Sequence, residues 1–197
     1  MSDAAHEHPS HPGFAFGPSA LVTPANAVTV ARLLAAPVYI VMLVAWGASW
    51  INVVVGLVLA GSDGLDGYMA RRHGTTRSGA FLDPLADKAC VLGAMITLSV
   101  QGHLPWLPVL LITAREVGMQ VYRSWVGRHG VSIPARKSAK LKTLVQDIAI
   151  GTVIIPPLAH QHGLQVATIW FACALTLYTG AEYLMDGRRA LHRPASS

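Results

Sequence analysis

This sequence is short of charge. Of its 197 residues 13% are charged and 52% hydrophobic, too little polarity to clothe an ordinary water-soluble domain, so the chain reads as a membrane protein. Cysteine is almost missing: Cys90 and Cys173 lie far apart in apolar runs, which argues against a disulfide framework or a thiolate metal site and leaves them as small packing residues. Residues 1–20 contain no Lys or Arg and lack the basic and apolar parts of a secretory signal, so 1–22 read as a flexible cytosolic tail. Within it His6, His8 and His11 are interrupted by Pro and Ser, and no helix aims their imidazoles at one metal. No internal repeat is visible, which leaves one domain over 23–187 and a second short tail over 188–197.

What the chain does have is long apolar stretches. A membrane span takes about 20 mostly apolar residues, and six stretches approach that: Val28 to Trp46, Trp50 to Ala70, Pro84 to Val100, Leu104 to Trp125, Thr143 to Ala159 and Gln165 to Leu184. The net charge of +5 could suit nucleic acid, but the cations sit between apolar stretches without any nucleic-acid-reading motif, so no nucleic-acid partner is expected. Their placement is one-sided. Lys and Arg fall at Arg32, between stretches two and three (Arg71, Arg72, Arg77, Lys88), from Arg115 to Lys142, and in the tail (Arg188, Arg189, Arg193). The connections around Gly47, 101–104 and 160–163 hold none. Because cations accumulate on the cytoplasmic side, the expected fold is all-α, six transmembrane helices with both termini cytoplasmic. Trp46, Trp50, Trp106 and Trp125 fall at the predicted interfaces, where an indole is favoured.

The second stretch is apolar only to Ala60, and its helix must run on through GSDGLDGYMA. Residues 63–87 then carry four carboxylates: Asp63, Asp66, Asp83 and Asp87. Steps of three and four residues put each pair on one helix face, and an antiparallel hairpin with a short basic loop brings both pairs to the cytoplasmic end. One carboxylate in a membrane helix costs about 2.5 to 3.5 kcal/mol, so four cost on the order of 10 kcal/mol before repulsion. Protonation would relieve part of that. Hard divalent cations, Mg²⁺ or Mn²⁺, would neutralise the whole set, and two of them would form a clamp for phosphoryl transfer.

This stretch resembles the signature of the CDP-alcohol phosphatidyltransferases, D-x-x-D-G-x-x-A-R, a spacer, then G-x-x-x-D-x-x-x-D. It stands here as Asp63, Asp66, Gly67, Ala70, Arg71, Gly79, Asp83 and Asp87, with a spacer of seven residues. The resemblance implies that Asp63, Asp66 and Asp83 ligate metal, with Asp87 completing the site and acting as general base on the incoming hydroxyl. It also implies CDP-lipid contacts at Gly67, Ala70 and Gly79, where small residues let the nucleotide approach the backbone, and at Asp66, Arg71 and Arg77. TPANAVTVAR at 23–32 is similar to the family's P-N-x-x-T-x-x-R opening of the first helix, which adds Asn26 and Thr29 to the CDP-lipid contacts.

The resemblance is nearest to members whose acceptor is glycerol 3-phosphate, through GAFLDPLADK and through TARE at 113–116 paired with ARKSAKLKT at 135–143. A phosphorylated acceptor needs fixed cations, and Arg115, Lys137, Lys140 and Lys142 are the expected set. Arg115 falls well inside the fourth stretch and requires an anion. Consecutive helical residues point about 100° apart, so Glu116 is not the expected partner; a substrate phosphate or an acid from another helix is. Asp147 is read as a salt-bridge partner of Arg115 or Arg123, and Glu182 and Asp186 as interfacial residues. The implied protein is a homodimeric enzyme of a bacterial inner membrane, taking CDP-diacylglycerol among the membrane lipids, with its active site facing the cytoplasm. Alternatives left open are another acceptor (phosphatidylglycerol in a cardiolipin synthase, or inositol phosphate) and, from another class, a divalent-cation channel or carrier.

Overall fold

A computed structural model describes the backbone of residues 24–73, 79–128 and 137–191 and the side chains of residues 30–62, 88–122 and 141–185. The described residues form six helices and no strand: α1 Pro24–Trp46, α2 Trp50–His73, α3 Gly79–Val100, α4 Trp106–Arg128, α5 Lys137–Ile154 and α6 His162–Leu191. Each corresponds to one apolar stretch, but the ends differ for local reasons. Helix α3 starts at Gly79 rather than Pro84 and α5 at Lys137 rather than Thr143, because a helix needs only its own backbone bonds and continues past the apolar part. Helix α4 starts at Trp106, since His103 and Leu104 turn back to donate to the Leu98 carbonyl at 2.9 and 3.3 Å. Pro156 and Pro157 follow the end of α5 and cannot donate a helical bond. Helix α6 continues to Leu191, into the stretch expected to be tail.

The connections without cations are tightly made. Gly47 ends α1 at φ +52 with its N–H on the Leu43 carbonyl at 3.1 Å, and Gly102 follows α3 at φ +81, a left-handed conformation that a Cβ disfavours. Ser49 caps α2 by accepting the Asn52 N–H at 3.3 Å. The fully buried Asn52 amide then donates to the carbonyls of Met42 at 3.2 Å and Gly47 at 2.8 Å, tying the two helices together.

Helix α1 lies along α3 and α5 along α6, with α4 against α6 and α3, and α2 against α1 and α5. Leu43, Met95, Leu98, Val109, Ile112 and Ile169 form the centre, all but excluded from solvent. Polar groups are also inside: Gln146 donates to Thr176 at 2.9 Å across α5 and α6. The outside is the reverse. Large hydrophobic side chains are exposed on every helix, among them Leu34 (66%), Leu57 (67%), Val100, Leu110, Leu144 and Phe171. Water does not tolerate such a coat, whereas hydrocarbon does. Trp46, Trp50 and Trp106 are exposed at their helix ends, as interfacial indoles should be. Among the described residues one helix, over His162–Met185, is long and apolar enough by itself to cross a membrane; the apolar parts Val30–Trp46, Trp50–Ser62 and Lys88–Val100 are shorter.

Candidate active site

The expected site residues fall on helices in the expected order. Asp63, Asp66, Gly67, Ala70 and Arg71 lie on α2, Gly79, Asp83 and Asp87 on α3, Asn26 and Thr29 on α1, and Lys137 and Lys140 on α5. The steps of three and four between the aspartates are therefore helical steps. The side chains of these residues lie outside the described set, and Arg77 lies outside the described residues altogether.

The chain flanking the two aspartate pairs is described, and it meets at one residue of α1. Arg32, 5% exposed, donates from Nε to the Ser62 hydroxyl at 3.2 Å. Its carbonyl accepts the Cys90 thiol at 3.9 Å. Ser62 immediately precedes Asp63, and Cys90 comes three residues after Asp87. Arg32 thus joins α2 and α3 next to their carboxylates.

Below this junction lies a cavity of about 200 Å³ between α1, α2, α3 and α5. Arg32, Thr143 and Asp147 line its polar end, and residues such as Val53, Leu57 and Ile154 make the rest apolar. Asp147 therefore belongs to this cavity. The bonds of Arg115, the first partner expected for Asp147, go elsewhere, and the side chain of Arg123, the second, lies outside the described set.

The second cluster centres on Glu116, 2% exposed on α4. Three cations bind its carboxylate: Lys88 of α3 on Oε2, Lys142 of α5 on Oε1, and Arg115 on Oε1 at 2.8 Å. Arg115 also donates to the Thr179 hydroxyl of α6 at 3.1 Å, and its Nε is buried without a hydrogen-bond partner. Gly180 makes room for it, since a Cβ there would stand 2.8 Å from that Nε. Here the expectation for Arg115 is corrected. Its partner is the neighbouring Glu116, because the long guanidinium arm, held by Thr179, bends back across the angle that separates adjacent helical positions. Lys88, read from the sequence as a topology-setting cation, and Glu116 are the two residues that sequence reasoning missed. Glutamate followed through to cations on other helices would have been the signal, but nothing local marks it.

Residues 22–178 match the sequence profile described as CDP-alcohol phosphatidyltransferase. The chain belongs to this family. As a CDP-alcohol phosphatidyltransferase it is a transferase of phospholipid biosynthesis. It is 40% identical, over 84% of its length and 81% of the relative's, to the probable phosphatidylglycerophosphate synthase of Mycobacterium tuberculosis (strain CDC 1551 / Oshkosh). It is also 34% identical to the CDP-diacylglycerol--glycerol-3-phosphate 3-phosphatidyltransferase of Sodalis glossinidius, over 70% of this chain and 79% of that one. The Salmonella typhi protein of the same name is 31% identical over 82% of this chain and 92% of its own.

Proposed function

We propose that this phosphatidyltransferase moves the phosphatidyl group of CDP-diacylglycerol onto sn-glycerol 3-phosphate, releasing CMP and phosphatidylglycerophosphate. The observation that carries the choice of acceptor is the buried surplus of positive charge at Glu116. Among the described residues three cations meet one carboxylate, an excess of two positive charges at a place where uncompensated charge is costly. A phosphate monoester carries about −1.5 to −2 at neutral pH and matches that surplus. A phosphodiester headgroup, with a single charge, does not. The names of the relatives favour glycerol 3-phosphate among the monoesters. Arg115 and Lys142 would hold the phosphate, with Lys137 and Lys140 on the first turn of α5 completing the cationic mouth.

The lipid donor fits the other cluster. Asn26, Thr29, Asp66, Gly67, Ala70, Arg71, Arg77 and Gly79 would receive the CDP part, with Arg71 on the pyrophosphate, and the cavity below Arg32 has apolar walls suited to an acyl chain. The donor set of Asp63, Asp66, Asp83 and Asp87 is all carboxylate oxygen, on helical steps whose flanks share Arg32, and this suits hard divalent cations. Two Mg²⁺ or Mn²⁺ held there would neutralise pyrophosphate oxygens and the attacking and leaving oxygens. Asp87 takes the proton from the acceptor hydroxyl, a new oxygen–phosphorus bond forms, and the bond from that phosphorus to CMP breaks. Arg71 faces the charge that develops on CMP.

The same reading places six spans in a bacterial inner membrane, both termini and the site on the cytoplasmic side, in a homodimer. The Lys- and Arg-free turns at 47–49, 101–105 and 155–161 support that orientation. The deciding experiment supplies the purified protein with CDP-diacylglycerol, Mg²⁺ and, one at a time, glycerol 3-phosphate, inositol phosphate and phosphatidylglycerol, and follows CMP. Release with glycerol 3-phosphate is expected. Preference for either other acceptor would replace the proposal.

A further inference from the structure

Glu116 has no place in the phosphoryl transfer just described, yet three cations bind it. Its two oxygens are occupied by Lys88, Arg115 and Lys142, and at 2% exposure it is shut off from water. Such a group cannot shuttle protons to a reacting atom. A plain structural ion pair would balance charge one for one. Here the carboxylate gathers three cations, and the set keeps spare donors. Each ammonium has three N–H groups, and the Arg115 Nε is buried without a partner.

We infer that Glu116 is a positioning residue: it draws Lys88, Arg115 and Lys142 from three helices into one cradle for the acceptor's phosphate, and through Lys88 ties that cradle to the aspartate-bearing end of α3. Without the carboxylate the three cations would repel one another across a low-dielectric interior and separate. With it, their mean position is fixed while two charges remain for an incoming anion. Helix α6 shapes the same cradle, Thr179 holding the guanidinium and Gly180 yielding space to it. The void beside Lys88, Glu116, Thr143 and Gln146 is about 10 Å³, too small for a phosphate, so the anion is met at the open edge. Lys88 marks that edge, with 26% of its side chain exposed against 8% for Lys142. Lys88 directly follows Asp87 in sequence. The link therefore sets the distance between the bound phosphate and the carboxylate proposed as base. This inference rests on the acceptor being a phosphate monoester, as proposed above.

The test compares the parent with Glu116→Gln, Glu116→Asp and Lys88→Gln in detergent, measuring KM for each substrate, kcat, and the thermal stabilisation given by glycerol 3-phosphate against glycerol. Glu116→Gln is expected to raise the KM for glycerol 3-phosphate by about tenfold or more, the scale of a lost charge-assisted contact, with the KM for CDP-diacylglycerol changed less than about twofold. It should also abolish the stabilisation by glycerol 3-phosphate, and Glu116→Asp should restore part of both. Unchanged glycerol 3-phosphate KM in Glu116→Gln overturns the inference, as does an equal loss for both substrates that Asp does not rescue. Should Glu116→Gln not fold, Lys88→Gln decides: an unaltered acceptor KM overturns it equally. The acceptor reading fails separately, in the parent, if glycerol 3-phosphate neither releases CMP nor stabilises the protein.

Discussion

Asp87 and Lys88 are neighbours on α3 with opposite charges, and the proposed chemistry gives them different work. Successive helical positions point about 100° apart, so one turn can serve both the metal site and the Glu116 cluster. Asp87→Asn keeps size and hydrogen bonding while removing the base. It is expected to abolish CMP release and leave the protein folded; membranes carrying this variant with near-normal synthase activity would end that assignment. At Gly180 the prediction is steric. Gly180→Val puts a branched side chain where even a Cβ would stand 2.8 Å from the Arg115 Nε, so the guanidinium must move. The expected result is a higher KM for glycerol 3-phosphate with the KM for CDP-diacylglycerol retained, measured in steady-state CMP assays. Arg115→Ala should shift the same constant in the same direction.

Between helices, Asn52 closes the α1–α2 turn with two amide bonds to backbone carbonyls. Asn52→Ala leaves those bonds unmade at a fully buried position and should cost about 1–3 kcal/mol, read as a lower Tm in detergent with little change in either KM. Gly102 sits at φ +81, where a Cβ costs about 1–2 kcal/mol, so Gly102→Ala should lower Tm similarly. Both turns lie at the ends of their helices away from the aspartates, which is why stability and catalysis separate in these variants. The existence of all six helices was legible from apolar runs alone. Their ends were not, because turn bonds such as those from His103 and Leu104 to the Leu98 carbonyl depend on backbone geometry that hydropathy does not encode.

At the scale of the molecule, the large apolar side chains exposed on every helix among the described residues suit hydrocarbon rather than water as the surrounding solvent. The protein is expected to resist extraction from membranes by high salt and to require detergent, as fractionation would show. Chelation with EDTA should remove activity, and Mg²⁺ or Mn²⁺ should restore it. Activity undiminished by exhaustive chelation would remove the metal role given to the four aspartates.

The sequence by itself determined the helices and the aspartate spacing, because both are periodicities along one chain: apolar length for a span, and steps of three and four for a shared helix face. It also carried the family signature, which is local in the same sense. Only the tertiary structure decided the company of Glu116. Lys88 and Lys142 reach it from 28 and 26 residues away, and Thr179 reaches Arg115 from 64. Likewise Arg32 meets both Ser62 and Cys90 only once α1 is laid against α2 and α3. Such pairings follow from how helices rotate and pack against one another, and no spacing within a single helix contains that angle.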